Sequence, residues 1–98
     1  MYQGTTPEFS FTLPFNVDEI ESLLITFRQF DKVLDFTEED VEVEGNIIFI
    51  RLTQEQTSKF DSHFKCKVQI KVKLQDDTIV VSQIENVDIN QSLSSRVL

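Results

Sequence analysis

Residues 65–75 read Lys65-Cys66-Lys67-Val68-Gln69-Ile70-Lys71-Val72-Lys73-Leu74-Gln75. Cys66, Val68, Ile70, Val72 and Leu74 fall on one side of a period-two ribbon, and Lys65, Lys67, Gln69, Lys71, Lys73 and Gln75 on the other. Successive side chains of an extended segment point to opposite faces, so this is a half-buried strand with one apolar and one wet face. One-sided burial is the habit of antiparallel sheets packed on a single core. The stretch therefore predicts an all-β chain of antiparallel strands.

The same alternation recurs in both directions. Phe9, Phe11 and Leu13 alternate with Ser10 and Thr12, and Pro14, which lacks an amide donor, ends that strand. Residues 16–22 read either as a helical turn capped by Asn16 or as a strand-to-strand crossover. Over 23–30, Leu23, Ile25, Phe27 and Gln29 oppose Leu24, Thr26, Arg28 and Phe30. Apolar residues on both of its faces predict a central position. A turn at Asp31-Lys32 leads into a return over 32–37, followed by a short strand holding Val41 and Val43. Gly45-Asn46 supplies the positive φ that tight hairpins demand, and 47–52 is the next strand. Thr53-Gln54-Glu55-Gln56 matches a capping box and predicts a short helix over about 53–60. After the lysine-striped strand, Asp76-Asp77 turns the chain into a return over 78–83, and 84–89 alternates once more.

Six to eight short strands with turns every ~8–12 residues predict an antiparallel β-sandwich. Immunoglobulin-like sandwiches also place a short helical turn before a long central strand whose inward Cys follows an aromatic by two positions. Phe64 and Cys66 occupy those places. Phe64 has no hydroxyl for a tyrosine corner and Cys66 no partner, so the expected likeness is one of architecture. The 98 residues form one domain over 8–90, with a loose arm over 1–7 and a polar tail over 91–98.

Composition narrows the function classes. A lone cysteine permits no internal disulfide. No basic segment followed by an apolar one opens the chain, and Ile47–Ile50 is too short to span a bilayer. The expectation from composition is a protein made in the cytoplasm, without a signal peptide and without membrane contact. A net charge of −8 opposes nucleic-acid binding, which needs clustered Lys and Arg. Gly4 and Gly45 are the only glycines, so no phosphate-cradling loop exists. His63 and Cys66 are too few for a zinc site, and a Cys on the apolar face of a strand lacks the access a nucleophile needs. The reading is of a non-enzyme with no catalytic, cofactor-binding or metal-binding residues.

The acidic run draws most attention. Asp31, Asp35, Glu38, Glu39, Asp40, Glu42 and Glu44 put seven carboxylates in fourteen residues. A solvated hairpin edge that discourages edge-to-edge association is one reading. A docking surface for a basic protein is a second, and calcium binding, without the ligand spacing of an EF-hand loop, a third. Asp35, Glu38, Glu39, Asp40, Glu42 and Glu44 are the candidate protein-binding residues. The lysine stripe has three readings: cross-strand pairs with acidic strands such as Glu42 and Glu44, or with Glu85; an unpaired edge strand that guards against aggregation; or a phosphate-binding face, which the net charge opposes.

Several segments taken in order, FTLPF at 11–15, ITFRQFDKVL at 25–34, EGN at 44–46, LTQEQT at 52–57, KVQIKVKL at 67–74 and the terminal Val97-Leu98, resemble a group of small proteins of phages and prophages of Gram-positive gut bacteria. The resemblance implies an accessory or structural virion component associated with the tail or baseplate, binding other virion proteins, with homo-oligomerisation left open. It adds the virion to the host cytoplasm as a location. It brings no catalytic residues. The alternative expectation is an acidic inhibitor that mimics nucleic-acid charge to block a host defence protein.

Overall fold

The computed structural model describes residues 1–82 and 84–91. Its strands are β1 (Glu8–Thr12), β2 (Ile20–Gln29), β3 (Lys32–Thr37), β4 (Glu42–Glu44), β5 (Ile47–Arg51), β6 (Cys66–Leu74), β7 (Ile79–Val81) and β8 (Glu85–Val87). One short helix, α1 (Gln54–Ser58), and two 3₁₀ turns, Val17–Glu19 and Glu38–Asp40, complete it. The strands form two antiparallel sheets. The smaller runs β1-β5-β4; the larger runs β3-β2-β6-β7, with β8 also on β6.

The lysine-striped segment is β6, and Cys66, Val68, Ile70 and Val72 are all buried. β2 lies beside it, Ile25 opposite Ile70 and Phe27 opposite Val68. Facing them are Ile48 and Ile50 of β5. Phe27 sits between the sheets, its ring centroid 5.4 Å from Phe9 of β1 and 5.8 Å from Phe36 of β3. The two sheets thus close on one core, which also takes in Leu52, Phe60 and Ile89. Burying each of these large side chains stabilises by ~1.5–3 kcal/mol.

The turns follow the chemistry of their residues. Gly45 adopts φ 62° between β4 and β5, and Asp77 adopts φ 69° between β6 and β7. The capping box forms as the spacing requires, with the Gln56 amide donating to Thr53 Oγ1 and the Thr53 amide to Gln56 Oε1. Asn16 contributes no side-chain cap to the first 3₁₀ turn, which carries the chain from one sheet to the other.

Three expectations are corrected. Residues 1–7, whose polarity suggests a loose arm, are tied to the domain. The N-terminal amine donates to Asp88 O, the Gln3 amide to Asn90 O, and the Leu52 amide to Pro7 O. The Thr57 hydroxyl, fully buried, donates to Thr5 O and accepts from the Thr5 amide. These backbone groups would lose hydrogen bonds if the arm came free. Second, the two strands expected over 78–83 and 84–89 form, but shorter than their alternation suggests, as β7 and β8. β7 and β8 share one edge of β6, and four steps along them, Val81 to Glu85, match three along β6, Lys71 to Val68. The extra residue is a bulge. At Ser82 the amide donates to Ile70 O while Oγ accepts from the Ile70 amide, doing the work of a ladder carbonyl. Third, the lysine stripe does not face Glu42 and Glu44, which lie on the other sheet, nor Glu85, which stands opposite the inward Val68. The tail expected over 91–98 lies outside the described residues beyond Gln91.

Candidate interaction face

β2 and β6 present their second faces to solvent, and the register decides what meets there. Arg28 stands directly opposite Lys67, and on its other side opposite Val33 of β3. Like charges directly opposite on a sheet destabilise it. Arg28, Lys67 and Lys71 form no ion pair with any described residue. The other two lysines of the stripe are paired at the rim: Lys65 lies 3.8 Å from Asp88, and Lys73 3.9 Å from Glu21 and 3.6 Å from Asp77.

Exposed apolar groups stand among these cations. Phe30 and Phe64 are 64% and 50% exposed, yet they hold each other edge to face with centroids 4.7 Å apart. Phe30 adopts φ 56°, a backbone region unfavourable for a bulky residue, and the Arg28 Nε–H donates to its carbonyl at 3.1 Å. Phe64 is set by a clamp on the opposite face. Gln29 is buried at the end of β2, and its Nε2 donates to Asp61 O at 2.7 Å and Phe64 O at 2.9 Å, while its Oε1 accepts from the Asp61 amide. Arg28, Phe30, Phe64, Lys65, Lys67 and Asn86 share a concavity of about 440 Å³ with Gln29. Farther along the same face Ile79, Val81 and Ile84 are exposed. Ile79 and Val81 stand opposite Lys73 and Lys71, and Ile84 shares a second hollow with Arg28 and Lys67.

The acidic candidates are spread over three elements and divide into two kinds. Asp35, on β3, accepts from the Thr26 hydroxyl at 2.7 Å. Glu38 accepts from the Leu23 amide at 3.2 Å, and Asp40 caps the Thr37 amide at 2.8 Å. Glu38 and Asp40 hold the crossing from β3 to β4, whereas Asp35 pairs with Thr26 on the outer face of the larger sheet. Glu39, Glu42 and Glu44 are exposed and make no ion pair with a described residue. Glu42 and Glu44 lie on β4, the edge of the smaller sheet.

The soft ligands do not meet. Cys66 points inward, and burial pushes its thiol up to about 11, so it is protonated at neutral pH. His63 stands outside on a loop, with Nδ1 2.7 Å from Asp61 Oδ1. Hydrogen bonds from His63 hold the Asp61 carboxyl below its ordinary value. Among the described residues no three of His, Cys, Asp and Glu group to hold a metal ion. No helix is long and apolar enough to cross a membrane. A further apolar groove of about 440 Å³ opens between the end of β1 and β7, lined by Phe11, Leu13, Phe15, Val72 and Val80 among others.

The pairing of Arg28 with Lys67 and of Phe30 with Phe64 was not legible from spacing. Each pair joins residues more than thirty positions apart, and only the strand register brings them together. The available signal was the outward alternation of Arg28, Phe30 and the lysines.

Comparison with protein-family models, curated proteins and solved structures finds no match for this chain.

Proposed function

We propose that this chain is a non-enzymatic protein-interaction module with an immunoglobulin-like sandwich architecture. The strand orders support the architecture: β1-β5-β4 and β3-β2-β6-β7 correspond to B-E-D and C′-C-F-G of such a sandwich, with α1 at the E-to-F connection. Strand A has no counterpart among the described residues.

The observation that carries the function is the outer face of the larger sheet. Exposed apolar patches set among charges mark interaction sites, and aromatic residues and Arg are enriched where proteins bind. Phe30 and Phe64 with Arg28 and Lys67 combine both signals. A sterically unfavourable Phe30 backbone and an opposed cation pair are costs that a purely structural face has no reason to keep.

The family resemblance supports placing the module in a phage or prophage particle, at the tail or baseplate. The test is to fractionate particles from a producing culture on a density gradient and assay for the chain. Recovery in the particle band at constant ratio to tail proteins is the expected result. Recovery only in the soluble fraction, bound to a host nuclease and released by excess DNA, would replace this reading with the charge-mimicking inhibitor. The unpaired Glu39, Glu42 and Glu44 are the feature that favours that second reading.

A further inference from the structure

We infer that the partner of the outer face is the acidic edge of a second copy of this chain, so that copies associate head to tail. The inference rests on the reading of that face as an interaction surface. Three cations on it, Arg28, Lys67 and Lys71, have no carboxylate partner among the described residues. Three carboxylates, Glu39, Glu42 and Glu44, are equally without a cation. One molecule cannot join Glu42 and Glu44 to its own outer face. The cations line the outward side of the larger sheet, whereas β4, which carries both glutamates, is the edge of the other sheet, across the core, and Glu39 stands on the turn that leads to it. A second copy brings these carboxylates within reach of the cations.

The two patches differ, so the contact is heterologous and repeats from copy to copy rather than closing as a symmetric pair. Phe30 and Phe64 supply the apolar centre, and the charge pairs supply register and selectivity. The net charge of −8 repels approaching copies at long range. At physiological ionic strength that repulsion is screened beyond ~8 Å, while groups in contact still attract.

Sedimentation velocity on the full chain tests this with two variants. Arg28→Glu/Lys67→Glu removes the basic face and with it the Arg28 Nε–H bond to Phe30 O, so its urea midpoint is measured beside Lys67→Glu alone, which leaves that bond in place and should weaken association in the same direction. Glu39→Gln/Glu42→Gln/Glu44→Gln removes the acidic edge and touches no hydrogen bond of the crossing. Wild type should form larger species as concentration rises, and each variant alone should weaken that association roughly tenfold or more. Mixed, the two should form a 1:1 dimer, because the first retains its edge and the second its face. Association of wild type that survives in the edge variant but not in the face variant would mean a symmetric face-to-face pair and would overturn the head-to-tail assignment. A wild type that stays monomeric up to its solubility limit would overturn it as well. If the face variant then still lost its place in particles, the interaction reading would stand without the second copy; if it changed nothing there, both would fall.

Discussion

The outer face of the larger sheet and the crossing from β3 to β4 both carry dense charge, but they use it differently. At the crossing, Glu38 and Asp40 serve the fold, accepting from the Leu23 and Thr37 amides. On the sheet, where Asp35 accepts from the Thr26 hydroxyl, Arg28 and Lys67 face each other and neither forms an ion pair with a described residue. A run of like charges in sequence can be half structural, because irregular backbone needs acceptors. A charge placed against its own kind on a regular sheet meets no such need, which makes it the better pointer to a partner.

Substitutions can break this contrast or sharpen it. The largest effect is expected across the two faces of β6. Ile70→Ala should cost about 2–5 kcal/mol in urea denaturation, while Lys71→Ala stays within ~0.5 kcal/mol. Equal losses would mean that the exposed face is not free of structural duty. Next comes the clamp beneath Phe64. Gln29→Ala leaves part-buried carbonyl and amide groups of the 61–64 loop without their partner and should cost about 1 kcal/mol. It should also loosen the Phe30–Phe64 contact, visible as a shift of the aromatic resonances.

Within the acidic run, Asp40→Ala should lose ~1 kcal/mol with the cap on Thr37, while its neighbour Glu39→Ala changes stability by under ~0.5 kcal/mol. Identical effects would erase the distinction between structural and unspent carboxylates. Lys67→Ala carries the opposite sign. Removing it from opposite Arg28 should raise stability by a few tenths of a kcal/mol, up to ~1, while weakening association. The last effect is absent at neutral pH and appears only in alkali. The Cys66 thiol is raised in the folded chain, so the stability tied to its neutral form is complete below the unfolded value near ~8.5 and is lost as pH climbs toward about 11. A urea midpoint that falls over this range in wild type should fall less in Cys66→Ala.

Much of this fold was legible from alternation. The inward sets of β2 and β6, the Gly45 turn and the Thr53 capping box follow from local rules that the neighbouring residues obey. What alternation does not carry is which strands meet and in what register. That is why the expected partners of the lysines include Glu42 and Glu44, which lie on the other sheet, and why spacing does not reveal that the two strands after β6 share one of its edges. The attachment of residues 1–7 depends on Thr57, whose side chain reads as an ordinary helix position until the fold buries it. The candidate site shows the same division. Its cations and phenylalanines were visible one at a time, and their convergence is a product of register.

The measurement that most directly tests the central claim is side-by-side affinity capture from a producing-host lysate. The baits are wild type, Arg28→Glu/Lys67→Glu and Glu39→Gln/Glu42→Gln/Glu44→Gln, with bound proteins other than the chain itself quantified by mass spectrometry. In a head-to-tail row the terminal copy's outer face stays free, so the account predicts that the face variant loses the proteins wild type captures and that the acidic variant keeps them. Retention by the face variant and loss by the acidic variant would contradict it.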